Sequence, residues 1–257
     1  MDLSLFSQLS PSVLVLSALI ALAAGTIKGA VGFALPLVMV SGLSSIMDPK
    51  LALAALILPV LATNGLQTFR HGVGPAIREA RIVWRYLLVV SVAIILTAQL
   101  VSAIPSRVFY FILGVPVVVL SVIQLVGWKL VIPVHRRAMA EWIIGLISGA
   151  LGGLAGTWGP TTVLYLMAIE TPKARQMIVQ GVIYGTGSVA LFLAHLQSGL
   201  FNGQTAPFSA ALLVPAFAGM AVGFWLQDRM DQTRFRTITL VVLTIAGINL
   251  IRKGLLG

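Results

Sequence analysis

The chain has 257 residues, 58% of them hydrophobic and 9% charged. A water-soluble domain carries roughly 25% charged residues, so this composition excludes a soluble globule and makes the bilayer the solvent for most of the surface. The formal net charge is +10, but the basic residues fall between apolar runs, where the positive-inside rule expects them, and they call for no nucleic acid.

Cysteine is absent, which removes disulfides, thiol catalysis and cysteine metal sites. His71, His135 and His195 are far apart and show no HxxH or HExxH spacing. Neither a metal nor another cofactor is called for. An intramembrane enzyme would need paired mid-membrane acids, a Ser–His arrangement or metal-ligand spacing, and none of these patterns is present.

The N-terminal stretch Met1 to Val13 has no basic region and no small-residue cleavage pattern after its apolar run. The first apolar segment is therefore expected to be retained. Apolar segments follow at about 11–47, 51–69, 84–104, 108–128, 142–169, 177–195, 207–226 and 237–251. Six suit one crossing of about 20 residues each. The segments 11–47 and 142–169 are longer and are interrupted by glycine.

The two long segments match each other. Gly25, Gly29, Gly32 and Pro36 recur 124 residues later as Gly149, Gly153, Gly156 and Pro160. Downstream, Asp48-Pro49-Lys50 answers Thr171-Pro172-Lys173, His71 answers His195, and Arg107 resembles Arg234 at a slightly larger offset. This pattern argues for duplication, with a first repeat over 1–130 and a second over 131–257.

Basic residues decide the relative orientation. If each long segment is a hairpin returning to its starting side, the second repeat is inverted. Arg70, Arg78, Arg81, Arg85, Lys129, Arg136, Arg137, Lys173, Arg175, Arg229, Arg234 and Arg236 then share one side. Lys50, Arg107, Arg252 and Lys253 share the other, a split of 12 against 4. Single crossings give parallel repeats and 9 against 7. The first arrangement fits the positive-inside rule better and places both termini outside. Folded in two, 142–169 gives arms of about 14 residues, or roughly 21 Å, short of a hydrocarbon core of about 30 Å. The expected fold is an all-α, polytopic transmembrane helix bundle of two inverted repeats. Each repeat is a Gly/Pro-broken, re-entrant hairpin plus three membrane-crossing helices.

Breaks inside a membrane helix are tolerated only within protein or beside a wet cavity. Paired broken segments are a pointer to a transporter's substrate site, and a helix restarting after a break aims positive dipole and free N–H groups at anions. The candidate residues are therefore Gly29, Gly32, Pro36, Gly153, Gly156 and Pro160. A competing reading is that the glycines only allow close helix packing.

Lys28 lies deep in the first motif, where a charge is costly and functional by default; snorkelling or helix capping is the alternative. Gly152 replaces it in the second copy. Asn64, Gln67, Gln180, Tyr184 and Ser188 add polar groups on the following helices, and Thr157, Trp158 and Thr161 follow the second glycine cluster. Gln180, Tyr184 and Ser188 share one helix face, and Asn64 aligns with Ser188. Interhelical hydrogen bonding is the alternative role for each.

All seven acidic residues, Asp2, Asp48, Glu79, Glu141, Glu170, Asp228 and Asp231, fall at segment ends or in loops. A carboxylate proton relay and a cation site are both disfavoured. A cavity with Lys28 and helix N-termini suits an anion. The cell interior is negative, so a monoanion leaves the cell downhill, by about 2.3 kcal/mol per 100 mV.

The paired Gly-xxx-Gly-xx-Gly-xxx-Pro motifs, Gly25 to Pro36 and Gly149 to Pro160, resemble the sulfite exporter TauE/SafE family over essentially the whole chain. The resemblance implies a permease of the bacterial cytoplasmic (inner) membrane for sulfite, sulfonates such as sulfoacetate, or related oxyanions. Its partners are then the small anion and the lipid bilayer, with a homodimer left open. Export by voltage-favoured uniport is the leading expectation; uptake or a channel for another small anion in the same fold is the rival.

Overall fold

The computed structural model describes residues 9–127, 131–227, 229 and 231–256. Asp2, Lys129 and Asp228, which entered the charge reading, lie outside them, as do the side chains of Lys173 and Arg236. All regular structure among the described residues is helical. The first half contains α1 (Pro11–Val31), α2 (Leu35–Leu43), α3 (Pro49–Phe69), α4 (Val73–Ile82), α5 (Trp84–Ala98) and α6 (Ser106–Val126). The second contains α7 (Arg137–Ala155), α8 (Gly159–Ala168), α9 (Lys173–Gln197), α10 (Ala206–Ala211), α11 (Leu213–Gln227) and α12 (Gln232–Leu256). Seven helical stretches among the described residues are long and apolar enough to cross a membrane. Their exposed side chains include Val15, Leu96, Val126 and Leu146, which in a bilayer face lipid.

The interruptions fall at equivalent places. α1 stops at Gly32 (φ 82°) and α7 stops at Gly156 (φ 67°), each left-handed. Glycine adopts this conformation without a Cβ penalty. Each terminal N–H bonds back to its own helix, Gly32 to the Lys28 carbonyl at 2.7 Å and Gly156 to the Gly152 carbonyl at 2.8 Å. The helices restart with Pro36 and Pro160 in their first turns, where a missing N–H costs nothing.

After the break the chain turns back. Ser148 Oγ donates to Thr161 Oγ1 at 2.6 Å, Tyr165 to Glu141 at 3.2 Å, and Arg137 to the Ile169 carbonyl at 3.2 Å. The partners step down α7 as they step up α8. In the first half a Cβ on Gly42 of α2 would stand 2.8 Å from Ile20 of α1. The arms are unequal, 19 and 10 residues in the second half, rather than two of about 14. The turn falls where Gly156 takes positive φ, at the middle of the 142–169 run; α7 is the longer arm because it begins before that run, at Arg137, and α8 is shorter because it begins only at Gly159. α4 was absent from the apolar segments because it is amphipathic and mostly exposed.

Polar contacts gather the chain ends of one pole. Lys50 donates to the Ser102 carbonyl (3.0 Å), Arg107 to the Gly254 carbonyl (2.9 Å), and Lys253 to the Ser45 carbonyl (2.7 Å). At the other pole Arg85 pairs with Glu141 at 3.7 Å and Arg175 with Glu79 at 2.9 Å.

The halves interlock: α1 packs on α11, α7 on α5, α3 on α9 and α6 on α12. A Cβ on Gly29 would overlap the Met220 carbonyl and approach Gly223 and Phe224. A Cβ on Gly153 would overlap the Ile94 carbonyl and Thr97 Oγ1 and approach Ala98. Met220, Gly223 and Phe224 stand 126 residues after Ile94, Thr97 and Ala98. The two glycine contacts are thus counterparts, partner by partner. Gly114 and Gly247 meet each other across α6 and α12.

Such contacts leave no room for a methyl group, and overpacking costs about 1–3 kcal/mol. Gly29→Ala and Gly153→Ala should each lower the melting temperature of the detergent-solubilised protein. Gly65→Ala, whose Cβ meets nothing within 4 Å, should leave it unchanged or raise it. Wild-type stability of Gly153→Ala would contradict the packing role.

Candidate functional site

Lys28 is in the last turn of α1, just before the break, and is 3% exposed. Its Nζ donates to Asn64 Oδ1 on α3 and lies 5.9 Å from the centre of the Tyr184 ring on α9. Asn64 Nδ2 in turn donates to the Tyr184 carbonyl at 3.3 Å. The ion pairs formed by described residues involve Glu79, Glu141 and Asp231, and none includes Lys28. A buried amino group among neutral partners is costly as an ion, and an anion beside it supplies the missing counter-charge.

The two breaks converge here. A cavity of about 20 Å³ is lined by Lys28, Phe33, Ala34, Pro36, Asn64, Trp158, Gly159 and Tyr184. It brings the start of α2 and the start of α8 to one point. Tyr184 donates to the Gly159 carbonyl at 3.1 Å, holding α9 against the second break. Ala34 sits at φ 79°, the left-handed region, and is buried. A non-glycine residue there stores about 1–3 kcal/mol of strain, a feature that clusters at functional sites.

A second cavity of about 20 Å³ adjoins the first through Lys28. Gly29, Gly32, Gln67, Arg70, His71, Met177, Met220 and Phe224 complete its wall. Gln67 Nε2 donates to the Gly32 carbonyl at 3.0 Å, satisfying one acceptor freed by the break, while its Oε1 is buried without a partner. Arg70 stacks over Phe224 at 4.2 Å from the ring centre and is exposed at the mouth. Each cavity holds little more than one water, so an oxyanion requires the walls to part.

Of the sequence candidates, Lys28, Gly32, Pro36, Asn64, Gln67, Trp158 and Tyr184 line these cavities. Gly29 lines one while packing against α11. Gln180 is buried, its Oε1 3.8 Å from where a Cβ on Gly32 would be. Pro160 and Thr157 are buried at the second break. Thr161 donates to the Trp158 carbonyl at 2.9 Å. Three candidates are placed elsewhere. Gly153 packs against α5 and Gly156 against Leu53 and Leu56. Ser188 donates to the Gly185 carbonyl of its own helix at 2.8 Å and borders an apolar surface groove of about 480 Å³ between α3, α5 and α9.

Sequence reasoning missed a hydroxyl network behind the second break. Tyr86 OH meets Ser148 at 2.8 Å and Thr162 at 3.1 Å, and its ring stacks on Tyr165 at 5.0 Å. The partners are too far apart in sequence to signal one another. Ala34 and Phe33 carried a signal that was readable: Ala34 stands 124 residues before Trp158.

The model of the sulfite exporter TauE/SafE family matches residues 17–250. The chain belongs to that family. It is a multi-pass membrane protein of a transporter family, in agreement with its seven membrane-length helical stretches. Neither the curated proteins nor the solved structures contain a match to this TauE/SafE chain.

Asn64→Asp keeps the side-chain shape and gives Lys28 a permanent counter-ion. Two unit charges about 4 Å apart attract by about 4 kcal/mol in an effective dielectric of about 20. Anion transport should fall more than a hundredfold with the melting temperature retained. Wild-type efflux from Asn64→Asp proteoliposomes would show that Lys28 does not hold the anion.

Proposed function

We propose that this TauE/SafE protein exports small sulfur-containing anions, sulfite and sulfonates such as sulfoacetate, across the bacterial cytoplasmic membrane. The observation that carries the reading is Lys28: buried, bonded only to neutral groups, and placed where two helix breaks meet. An oxyanion there would take a charge-assisted bond from Lys28 and face the starts of α2 and α8, whose dipoles favour negative charge.

The two halves, 1–130 and 131–257, are in this reading inverted repeats, each led by a re-entrant hairpin. Matching breaks and counterpart glycine contacts support the duplication. The pole holding Arg70, Arg85, Arg137 and Arg175 is the cytoplasmic one by the positive-inside rule, and the termini are outside. The cavity that reaches Arg70 and His71 then starts at the side from which an exported anion comes.

Transport is uniport, driven by the membrane potential. A monoanion gains about 2.3 kcal/mol per 100 mV on leaving a negative interior, a concentration ratio of roughly fiftyfold. Proteoliposomes loaded with labelled sulfite or sulfoacetate should release it faster when an inside-negative potential is imposed, and Lys28→Ala should abolish the release. Efflux that ignores voltage and follows a pH gradient would overturn uniport. Accumulation against the potential would favour uptake instead.

A further inference from the structure

The repeat relation pairs the open cavity with a sealed region. Gln67 on α3, with Arg70 and His71 just after it, corresponds 124 residues later to Leu191, Ala194 and His195 on α9, and Met177 on α9 corresponds to Leu53 on α3. The first set lines the cavity beside Lys28, with Arg70 and His71 exposed. The second set is closed: Leu53, Leu191 and His195 are each 0% exposed and Ala194 is 1%. The same contrast holds at the breaks. A Cβ on Gly32 would have side-chain amides at 3.8 and 3.9 Å, whereas one on Gly156 would have Leu56 and Leu53 methyl groups at 3.1 and 3.2 Å.

One scaffold, with counterpart glycine contacts on both sides, is therefore loose towards the Arg70 pole and tight towards the Lys50 pole. The tight side holds one feature that packing does not require. His195 is 0% exposed in the last turn of α9, its Nδ1 3.2 Å from Ser198 Oγ. A buried ionisable residue within an apolar span is a pathway candidate by default. Leucines meeting at a constriction form a seal that parts by wetting rather than by breaking bonds.

We infer that the region around Leu53, Leu191 and His195 is the second mouth of the anion path, closed in this structure. Transport exchanges the two states: the contacts at Gly156 loosen while Gln67, Arg70 and Phe224 close over Lys28. In the opened state His195 faces the path as His71 does now. The inference rests on the inverted-repeat reading of the transporter and names the route that reading leaves open.

The chain has no cysteine, so an introduced thiol is the sole one. Leu53→Cys and, separately, Leu191→Cys are reconstituted in vesicles loaded with sulfoacetate, and a membrane-impermeant maleimide is applied from either side. Met177→Cys, its repeat counterpart's replacement, should react from the Arg70 side at rest. Leu53→Cys and Leu191→Cys should react only from the opposite side. Their rate should rise about tenfold during export, as a minor state populated at about 0.1–10% becomes frequent, and labelling should block export. Labelling from the Arg70 side, or none from the opposite side in exporting vesicles, overturns the route. If wild-type vesicles export no sulfoacetate, the substrate reading fails separately. The route is then decided by basal labelling: Leu53→Cys faster than Leu113→Cys, buried on α6, supports it, and equal protection overturns it.

Discussion

A transmembrane helix can stop inside a bilayer only where its freed backbone groups find partners in protein or in an enclosed polar space. In this bundle two apolar helices, α1 and α7, stop at a glycine and restart, and the freed groups find partners at each. At Gly32 and Gly156 the last N–H folds back on its own helix, and Gln67 covers the Gly32 carbonyl from α3. The need to enclose both breaks places α3 and α9 between them. Those helices bring Asn64 and Tyr184 to Lys28. The polar centre of the molecule is thus a consequence of how its helices are interrupted.

The glycines of the two motifs divide their work along each helix. Gly25 and Gly29 let α1 lie against α11, and Gly149 and Gly153 let α7 lie against α5. One helical turn on, Gly32 and Gly156 end those helices. Close packing and interruption are therefore coupled: the helix that carries the break is clamped to the other half of the chain just before it. The asymmetry is chemical. Lys28 stands at one break where Gly152 stands at the other, so two similarly built breaks share one basic group.

Much of this frame was legible in the sequence. The apolar runs gave the helices, and the 124-residue match located both interruptions, because glycine and proline report backbone conformation directly. Lys28, Asn64 and Tyr184 stood out as polar groups within apolar spans. The rest depended on direction and rotation. Gly29 and Gly153 satisfy a packing motif and a site motif alike, and only their neighbours separate the two. Ser188 aligns with Asn64 but turns to its own helix carbonyl. The Tyr86 network and the Arg70–Phe224 stack arise from pairings distant in sequence, which no local pattern encodes.

The central claim is that an oxyanion binds at Lys28, between the starts of α2 and α8. Selenite is the heavier analogue of sulfite, and its selenium scatters anomalously. Crystals of the protein soaked in selenite should give an anomalous peak beside Lys28 Nζ, within reach of Tyr184 and Trp158, and the peak should vanish in Lys28→Ala. A peak confined to surface arginines, or one at the centre that persists in Lys28→Ala, would contradict the account.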